Sequence, residues 1–337
     1  MPASRGNDTK QIFGEDNTVS RCAIGVDLGG TNLRIAAIDE AGKMLEKFSL
    51  PTRTRQGPEM VLREMCQAIR ELARKLDGKS SLAGIGIGVP GILYLDKGIL
   101  RQSPNLPGWE NYPVREEIES HLGLRVFLEN DANAAALGEK WLGVGRNFQS
   151  LCMLTLGTGV GGGLICEGKV WHGFLGMAGE LGHIVVAEDG YPCPCGGCGC
   201  LETEASATAI VRKAQEVLDA GRSPALAEAQ RKCLEITSEL VYQVAKHGDT
   251  ACREIFGSVG RYLGIGIAGL INSLNLPLYV VGGGVAEAWD LFAPALLEHA
   301  RQRSYIFCEG STRIERSVLK GDAGLYGAAC LGLGGAA

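Results

Sequence analysis

The chain has 337 residues, 45% hydrophobic and 21% charged, with a formal net charge of −5. That length exceeds one comfortable core and points to two lobes of roughly 100–200 residues each, and the acidic balance argues against a nucleic-acid-binding surface. The polar first twenty residues hold no apolar signal segment, and most of the 12 cysteines are scattered through apolar stretches, so a reducing, cytoplasmic protein is expected.

Residues 1–21 are expected to be disordered, being poor in aromatic and β-branched residues. A buried strand then starts at Cys22, runs through Asp27 into Gly29-Gly30-Thr31-Asn32, and continues as a second strand over Leu33–Ile38. Lys43–Pro51 reads as a third strand and Gly57–Lys75 as an amphipathic helix, with Met60, Leu62, Met65, Ile69 and Leu72 near helical spacing. Ile85-Gly-Ile-Gly-Val is a buried strand, Ser103–Trp109 a loop and Pro113–Leu122 a helix. Val126–Glu129 is a short strand that delivers Asn130 and Asp131 to an alanine-rich helix over Ala132–Gly138, which leads to a glycine-rich candidate hinge, Gly143–Asn147.

The second half repeats the opening: strand Leu151–Leu156, glycine turn Gly157–Gly163, strand Leu164–Gly168. Helices are expected over 204–220, 224–247 and 249–274, followed by a buried strand from Leu278 into Gly282-Gly283-Gly284. The apolar run from Tyr262 to Val285 is broken by Asn272, Ser273, Asn275 and Pro277, so no membrane span is expected. The boundaries follow: a small lobe over 22–142, a large lobe over 143–317, and a small-residue C-terminal helix over 318–337 packing back on the first lobe. Two similar lobes enclose a cleft, the default ligand site.

Glycine turns at three strand ends, Gly29-Gly30, Gly157-Thr158-Gly159 and Gly282-Gly283-Gly284, offer bare backbone N–H groups suited to phosphate oxygens. Spread over both lobes, they suggest a nucleoside triphosphate. Gly157-x-Gly159-x-x-Gly162 also fits the dinucleotide fingerprint, but a hairpin rather than a helix follows it, and no Walker-A lysine pattern occurs. Asp27, just before the first turn, could hold Mg²⁺ through water or simply cap the turn. Asp131, at a helix N-terminus, could accept a substrate proton or be a plain N-cap.

Between Glu180 and Glu202 lie His183, Cys193, Cys195, Cys198 and Cys200. Cys-x-Cys bridges are strained, so a zinc site fits this density better than a disulfide loop. The spacing His-x9-Cys-x-Cys-x4-Cys takes His183, Cys193, Cys195 and Cys200 as ligands and leaves Cys198 over. Four protein ligands leave no position for water, so the metal is expected to be structural.

These motifs together resemble the ROK family of repressors and kinases, and within it the bacterial glucokinases. The resemblance covers residues 22–335 and is carried by Asp27-Leu-Gly-Gly-Thr-Asn, Glu129-Asn-Asp-Ala-Asn-Ala, Leu156-Gly-Thr-Gly-Val-Gly-Gly-Gly, Glu180-Leu-Gly-His and Cys-x-Cys-x4-Cys-Leu-Glu. It implies an α/β, two-lobed, actin-like (ribonuclease H-like) sugar kinase fold with a structural zinc loop. It implies ATP-dependent phosphorylation of a hexose 6-hydroxyl, with glucose foremost and N-acetylmannosamine or N-acetylglucosamine as alternatives; ATP or polyphosphate could be the donor. Asp131 would be the catalytic base; Asn105, Asn130, Glu180, His183 and Glu202 would contact sugar hydroxyls. Asp27, Gly29, Gly30, Thr31, Asn32, Gly157, Thr158, Gly159, Gly282, Gly283 and Gly284 would form the nucleotide site, with ATP, Mg²⁺ and Zn²⁺ as the bound groups. Cys198 departs from the family pattern. A homodimer is the expected assembly, without nucleic acid or membrane; a sugar-responsive repressor of the family would need a DNA-binding segment before residue 22, which twenty polar residues do not supply.

Overall fold

A computed structural model of the chain describes residues 20–335. The expected disorder over 1–21 lies outside the described residues, except for Ser20 and Arg21, which already belong to the first strand. The first half runs β1 (Ser20–Leu28), β2 (Asn32–Asp39), β3 (Met44–Pro51), α1 (Pro58–Leu76), β4 (Ser80–Val89), β5 (Ile92–Tyr94), β6 (Ile99–Gln102), α2 (Val114–Leu122), β7 (Val126–Asn130) and α3 (Asp131–Trp141). The second runs β8 (Leu151–Leu156), β9 (Val160–Cys166), β10 (Lys169–Val170), α4 (Leu201–Ala205), α5 (Ala207–Asp219), α6 (Pro224–Arg231), α7 (Ser238–Lys246), α8 (Thr250–Leu274), β11 (Leu278–Gly282), α9 (Trp289–Arg303), β12 (Arg313–Arg316) and α10 (Ala323–Gly332).

The internal repeat extends well beyond the glycine turns. One sheet has the order β3-β2-β1-β4-β7 and the other β10-β9-β8-β11-β12. In each, three antiparallel strands joined by hairpins are extended by two parallel ones. Of the parallel strands, the central β11 is a continuous buried run, Leu278–Gly282, because both its faces are covered, whereas the edge strand β12 is charged and only partly buried. Each half then closes with a helix, α3 or α10, and the two exchange places: α10 lies on β1 and β4 of the first sheet, while α3 packs on β8 and β9 of the second. Residues of α3, α10, β8, β9 and β11 share one apolar cluster, which includes Ala135, Ala136, Met153, Val280, Ala323 and Leu331. The exchange anchors each sheet to the other half of the chain and leaves the N-terminus of α3 beside the ends of β1 and β4.

Small residues make this possible. A Cβ on Gly25, Gly84 or Gly86 would run into the backbone of α10, and one on Gly327 into the carbonyl of Ala134 on α3. The same holds for Gly161 and Gly163. They are not part of a phosphate turn: they lie within β9, which begins at Val160 rather than at Leu164, and press against Ala132 and Ala136 of α3.

Three helix boundaries also differ from expectation. The segment 224–247 is two helices, because Cys233 takes a left-handed φ of 57° and Thr237 caps a fresh start through Leu240 N–H. The helix expected over 204–220 is interrupted at Ser206, whose hydroxyl caps α5 through Ala209 N–H. The C-terminal helix starts at Ala323, after a short turn containing Lys320 at φ 53°, not at residue 318. Helix α8 is long and apolar enough to cross a membrane, but Ile255, Phe256, Val259, Leu263, Ile267 and Ile271 are buried in the core of the second half, which makes it a core helix.

Candidate active site

Strand β7 ends by placing Asp131 at the first position of α3. Asn130 precedes it in extended conformation, and its Oδ1 accepts from Ala132 N (2.9 Å) and Asn133 N (3.2 Å), a helix N-cap. Its Nδ2 donates to Gly91 O at 3.2 Å, so most of the hydrogen-bonding capacity assigned to a sugar contact is spent on the scaffold. Asp131 itself accepts from Ala132 N at 2.9 Å. A helix N-terminus favours a carboxylate, yet burial, reinforced by the charges of Asp27 and Glu180, pushes the Asp131 carboxyl up to about 6. Burial and like charge win, leaving a carboxylate basic enough to take a hydroxyl proton near neutral pH.

Asp27, at the end of β1, is 8% exposed and pairs with Arg34, its cross-strand neighbour on β2. Arg34 also donates to the Gly321 carbonyl just before α10. Arg34 engages Oδ2 of Asp27, so a cation could approach only through the other oxygen. Burial raises the Asp27 pKa against the lowering effect of Arg34.

The glycine turns stand at the strand ends. In the first, Gly29 N donates to Asn32 O at 3.0 Å, and Gly30 lies against Asn105, where a Cβ would come within 2.9 Å of the Asn105 carbonyl. The second and third are neighbours, since β8 and β11 pair with Gly282 opposite Thr155. Gly283 must be glycine: its φ is 85° and the backbone of Leu156 fills the space a Cβ would need. Gly157 and Gly284, by contrast, face open space. The second turn is tied down by Ala207 N to Gly157 O (2.8 Å) and by the Thr208 hydroxyl to Thr158 O (2.7 Å).

In the cysteine loop, the donor atoms of His183, Cys193, Cys195 and Cys200 all lie within 4.8 Å of one another. Cys195 and Cys200 Sγ are 3.7 Å apart and the Cys193 Sγ is 3.5 Å from His183 Nδ1. Zinc–sulfur bonds in a tetrahedron would separate two sulfurs by about 3.8 Å, so the set fits zinc, and the cysteines are free thiols rather than bridged. Cys198 stands apart, its thiol turned to the Glu188 carbonyl at 3.4 Å. Gly196 (φ 97°) and Gly199 (φ 67°) supply the reversals that return the chain to Cys200. The loop is clamped to α5, with Tyr191 donating to Glu216 at 2.7 Å and Arg212 stacked 3.3 Å from the Tyr191 ring. With Nδ1 turned to the thiols, His183 leaves Nε2 toward Glu180, 3.9 Å away. Beyond the loop, Glu202 accepts from Val160 N at 3.0 Å and so ties the loop's far end to the second glycine turn.

The ROK family model matches residues 23–334. The chain belongs to the ROK family. Among its ROK relatives, the glucokinase of Halalkalibacterium halodurans is 37% identical over 309 residues, 91% of this chain and 93% of that protein. The glucokinase of Thermotoga maritima is 38% identical over 308 residues, 91% and 96% of the two chains. Among solved structures, the ROK family glucokinase of Streptomyces griseus in complex with glucose and AMPPNP is 33% identical, with a TM-score of 0.79 over 92% of this chain and 98% of that one. The two-lobed sugar kinase fold expected from the motifs is thereby established.

Four residues that organise this half of the ROK fold were given no function in the sequence reading, Glu129 entering it only as part of a motif: Arg34, Glu129, Glu139 and His172. Glu139, fully buried at the end of α3, accepts from Ser317 Oγ (2.5 Å), Leu319 N (3.0 Å) and Val144 N (3.0 Å), binding the expected hinge to the segment between β12 and α10. A carboxylate in an alanine-rich helix was the available signal. Glu129 pairs with His172 at 2.7 Å across 43 residues, which no local pattern reveals.

Proposed function

We propose that this chain is a glucokinase, transferring the γ-phosphoryl group of ATP to the 6-hydroxyl of glucose. The observation that carries this is the Asp131 carboxyl, pushed up to about 6 by burial and by the charges of Asp27 and Glu180, with Glu180 itself set beside His183 of the cysteine loop. The chain's similarity over nine-tenths of its length to the glucokinases of H. halodurans and T. maritima supports the substrate.

In this reading Asp131 accepts the 6-hydroxyl proton as the oxygen attacks the γ-phosphorus, and ADP leaves. The three glycine turns cradle the phosphates through backbone N–H groups. Asp27 is the residue that would hold the nucleotide's Mg²⁺, whose charge offsets that of the phosphates. His183, Cys193, Cys195 and Cys200 would hold a structural zinc, which fixes the His183 ring so that Nε2 meets a sugar hydroxyl. The first sheet with α10 acts as one lobe and the second sheet with α3 as the other, closing on the hexose to exclude water; a homodimer is part of the same reading.

An ADP-release assay over glucose, mannose, fructose, N-acetylmannosamine and N-acetylglucosamine, with ATP and then polyphosphate as donor, tests it. Glucose with ATP should give the highest kcat/KM. A preference for either N-acetyl sugar would replace the acceptor, and polyphosphate preference the donor.

Among the described residues the Glu180 carboxylate has no scaffold partner beyond its approach to His183, so Glu180→Gln should weaken glucose binding by one charge-assisted hydrogen bond, about 1.5–3 kcal/mol, and leave nucleotide binding unchanged by calorimetry. Glu202→Gln should disturb both ligands, because its carboxylate also holds Val160 N–H. Unaltered glucose affinity in Glu180→Gln would remove Glu180 from the sugar site.

A further inference from the structure

The loop between β10 and the zinc site has no buried residue over 171–180, before Leu181 and Gly182 enter the core of the second half. Phe174 is 98% exposed and Leu175 65%, and the chain turns through Gly173, Gly176 and Gly179, all at positive φ. A segment with an exposed tip takes its position from its ends. Here one end is His172 and the other is Gly179, which seats against the backbone of Gly162; Ala178 N closes the loop on His172 O at 3.0 Å.

His172 is fastened to one residue. Its Nε2 lies 2.7 Å from Oε2 of Glu129, where the ring nitrogen must be the donor to a carboxylate. Glu129 is 1% exposed and is the residue immediately before Asn130 and Asp131. Its other oxygen accepts from Asn130 N (2.9 Å) and from Asn133 Nδ2 (3.1 Å), the latter one turn into α3. A buried carboxylate is tolerated only when its oxygens are satisfied. His172 is the partner of Oε2 among the described residues, so the loop and the start of α3 are joined through a bond that is costly to break. Asn133, 3% exposed, has no partner for its Oδ1 among the described residues on the side facing Gly179, where a Cβ would stand 3.8 Å away.

We propose that Glu129, Asn133 and His172 are positioning residues that hold the loop bearing Glu180 and His183 in register with the base on α3, and that His172 thereby sets the affinity for the hexose. The proposal rests on the hexose kinase reading and touches neither the glycine turns nor the thiols. Breaking the bond should therefore affect the sugar and spare the nucleotide.

The experiment compares His172→Leu, which fills the space without a donor, with His172→Gln, whose amide can still donate to Glu129. Glucose and AMPPNP affinities are measured by calorimetry, and KM for each substrate by turnover. His172→Leu should raise the glucose Kd and KM about tenfold or more, the usual cost of one strong hydrogen bond to a charged group, with AMPPNP affinity within about twofold of wild type. His172→Gln should recover most of the loss. Equal impairment of the two variants, loss of both ligands in parallel, or wild-type glucose affinity in His172→Leu would each overturn the proposal. If His172→Leu does not fold, normal glucose affinity in Glu129→Ala combined with intact AMPPNP binding would overturn it, and selective sugar loss would support it. Failure of the kinase reading is separately visible, as wild-type protein that binds glucose but releases no ADP.

Discussion

Asp131→Asn should lower kcat by about 10²- to 10⁴-fold, the usual contribution of a positioned general base, while glucose affinity stays near that of the parent. The amide keeps the size of the carboxyl and its acceptor for Ala132 N–H, so the start of α3 is undisturbed. The proton acceptor alone is lost. In the parent, kcat/KM should fall on the acid side with an apparent pKa near 6, because the base must be ionised and its carboxyl is pushed up to about 6 by burial and by Asp27. A second consequence distinguishes this from general damage. Asp131 binds its proton more tightly in the folded chain than in the unfolded one, where the ordinary value is 3.8. Folding stability contributed by this group is therefore greatest below the unfolded value, declines as pH rises from there to about 6, and stays at its lowest above that. Removing the charge should raise Tm at pH 7 and give no gain near pH 3. Near-normal kcat in Asp131→Asn would end its assignment as base; a lowered Tm at pH 7 would show that its charge stabilises the site instead.

Whatever the sequence expressed within a few residues could be read from it. Asp27 with Gly29-Gly30, and Thr155 with Gly157, mark two equivalent strand ends because a buried strand, a glycine turn and a second strand are contiguous in each. The zinc loop is compact enough that its spacing separates Cys200 from Cys198. Long-range packing was the hidden part. Gly161 and Gly163 look like a continuation of Gly157–Gly159, and only the face of α3, some thirty residues earlier, reveals them as contact glycines. Asn130 next to Asp131 suggested a sugar ligand, and its further role as a helix cap tied to the Gly91 carbonyl shows only in the fold. Glu129 and His172 each look ordinary where they stand; burial makes them a pair. The exchange of α3 and α10 explains why such pairs are long-range: each helix serves the sheet of the other half, so contacts that organise the cleft join distant segments.

Cys200→Ser should lose zinc and glucose phosphorylation together, whereas Cys198→Ser should keep both. The two cysteines are separated by one glycine, but Gly199, at φ 67° and lodged against the Ala187 carbonyl, turns the chain between them. Cys200 then faces Cys195 at 3.7 Å, while the Cys198 thiol faces the Glu188 carbonyl. Rescue by Cys198 would need that turn undone, together with the Val186 N and Ala187 N bonds to Gly199 O. A structural zinc contributes on the order of 10 kcal/mol or more to the segment it organises, so a three-ligand site should not hold the loop. Its loss reaches the sugar because His183 offers Nδ1 to the metal side and Nε2 to the Glu180 side. It should reach the second glycine turn less, since Glu202, Ala207 and Thr208 hold that turn from α4 and α5. Glucose affinity should therefore fall by at least about 10- to 100-fold, the range seen when a metal ligand's supporting contacts are removed, with AMPPNP binding reduced far less. Zinc content by mass spectrometry, activity and both affinities are measured on the two variants, and on chelated protein before and after zinc is restored. Zinc retained by Cys200→Ser but lost by Cys198→Ser would exchange the fourth ligand. Full activity in verified zinc-free protein would mean that the loop holds His183 in place without a metal.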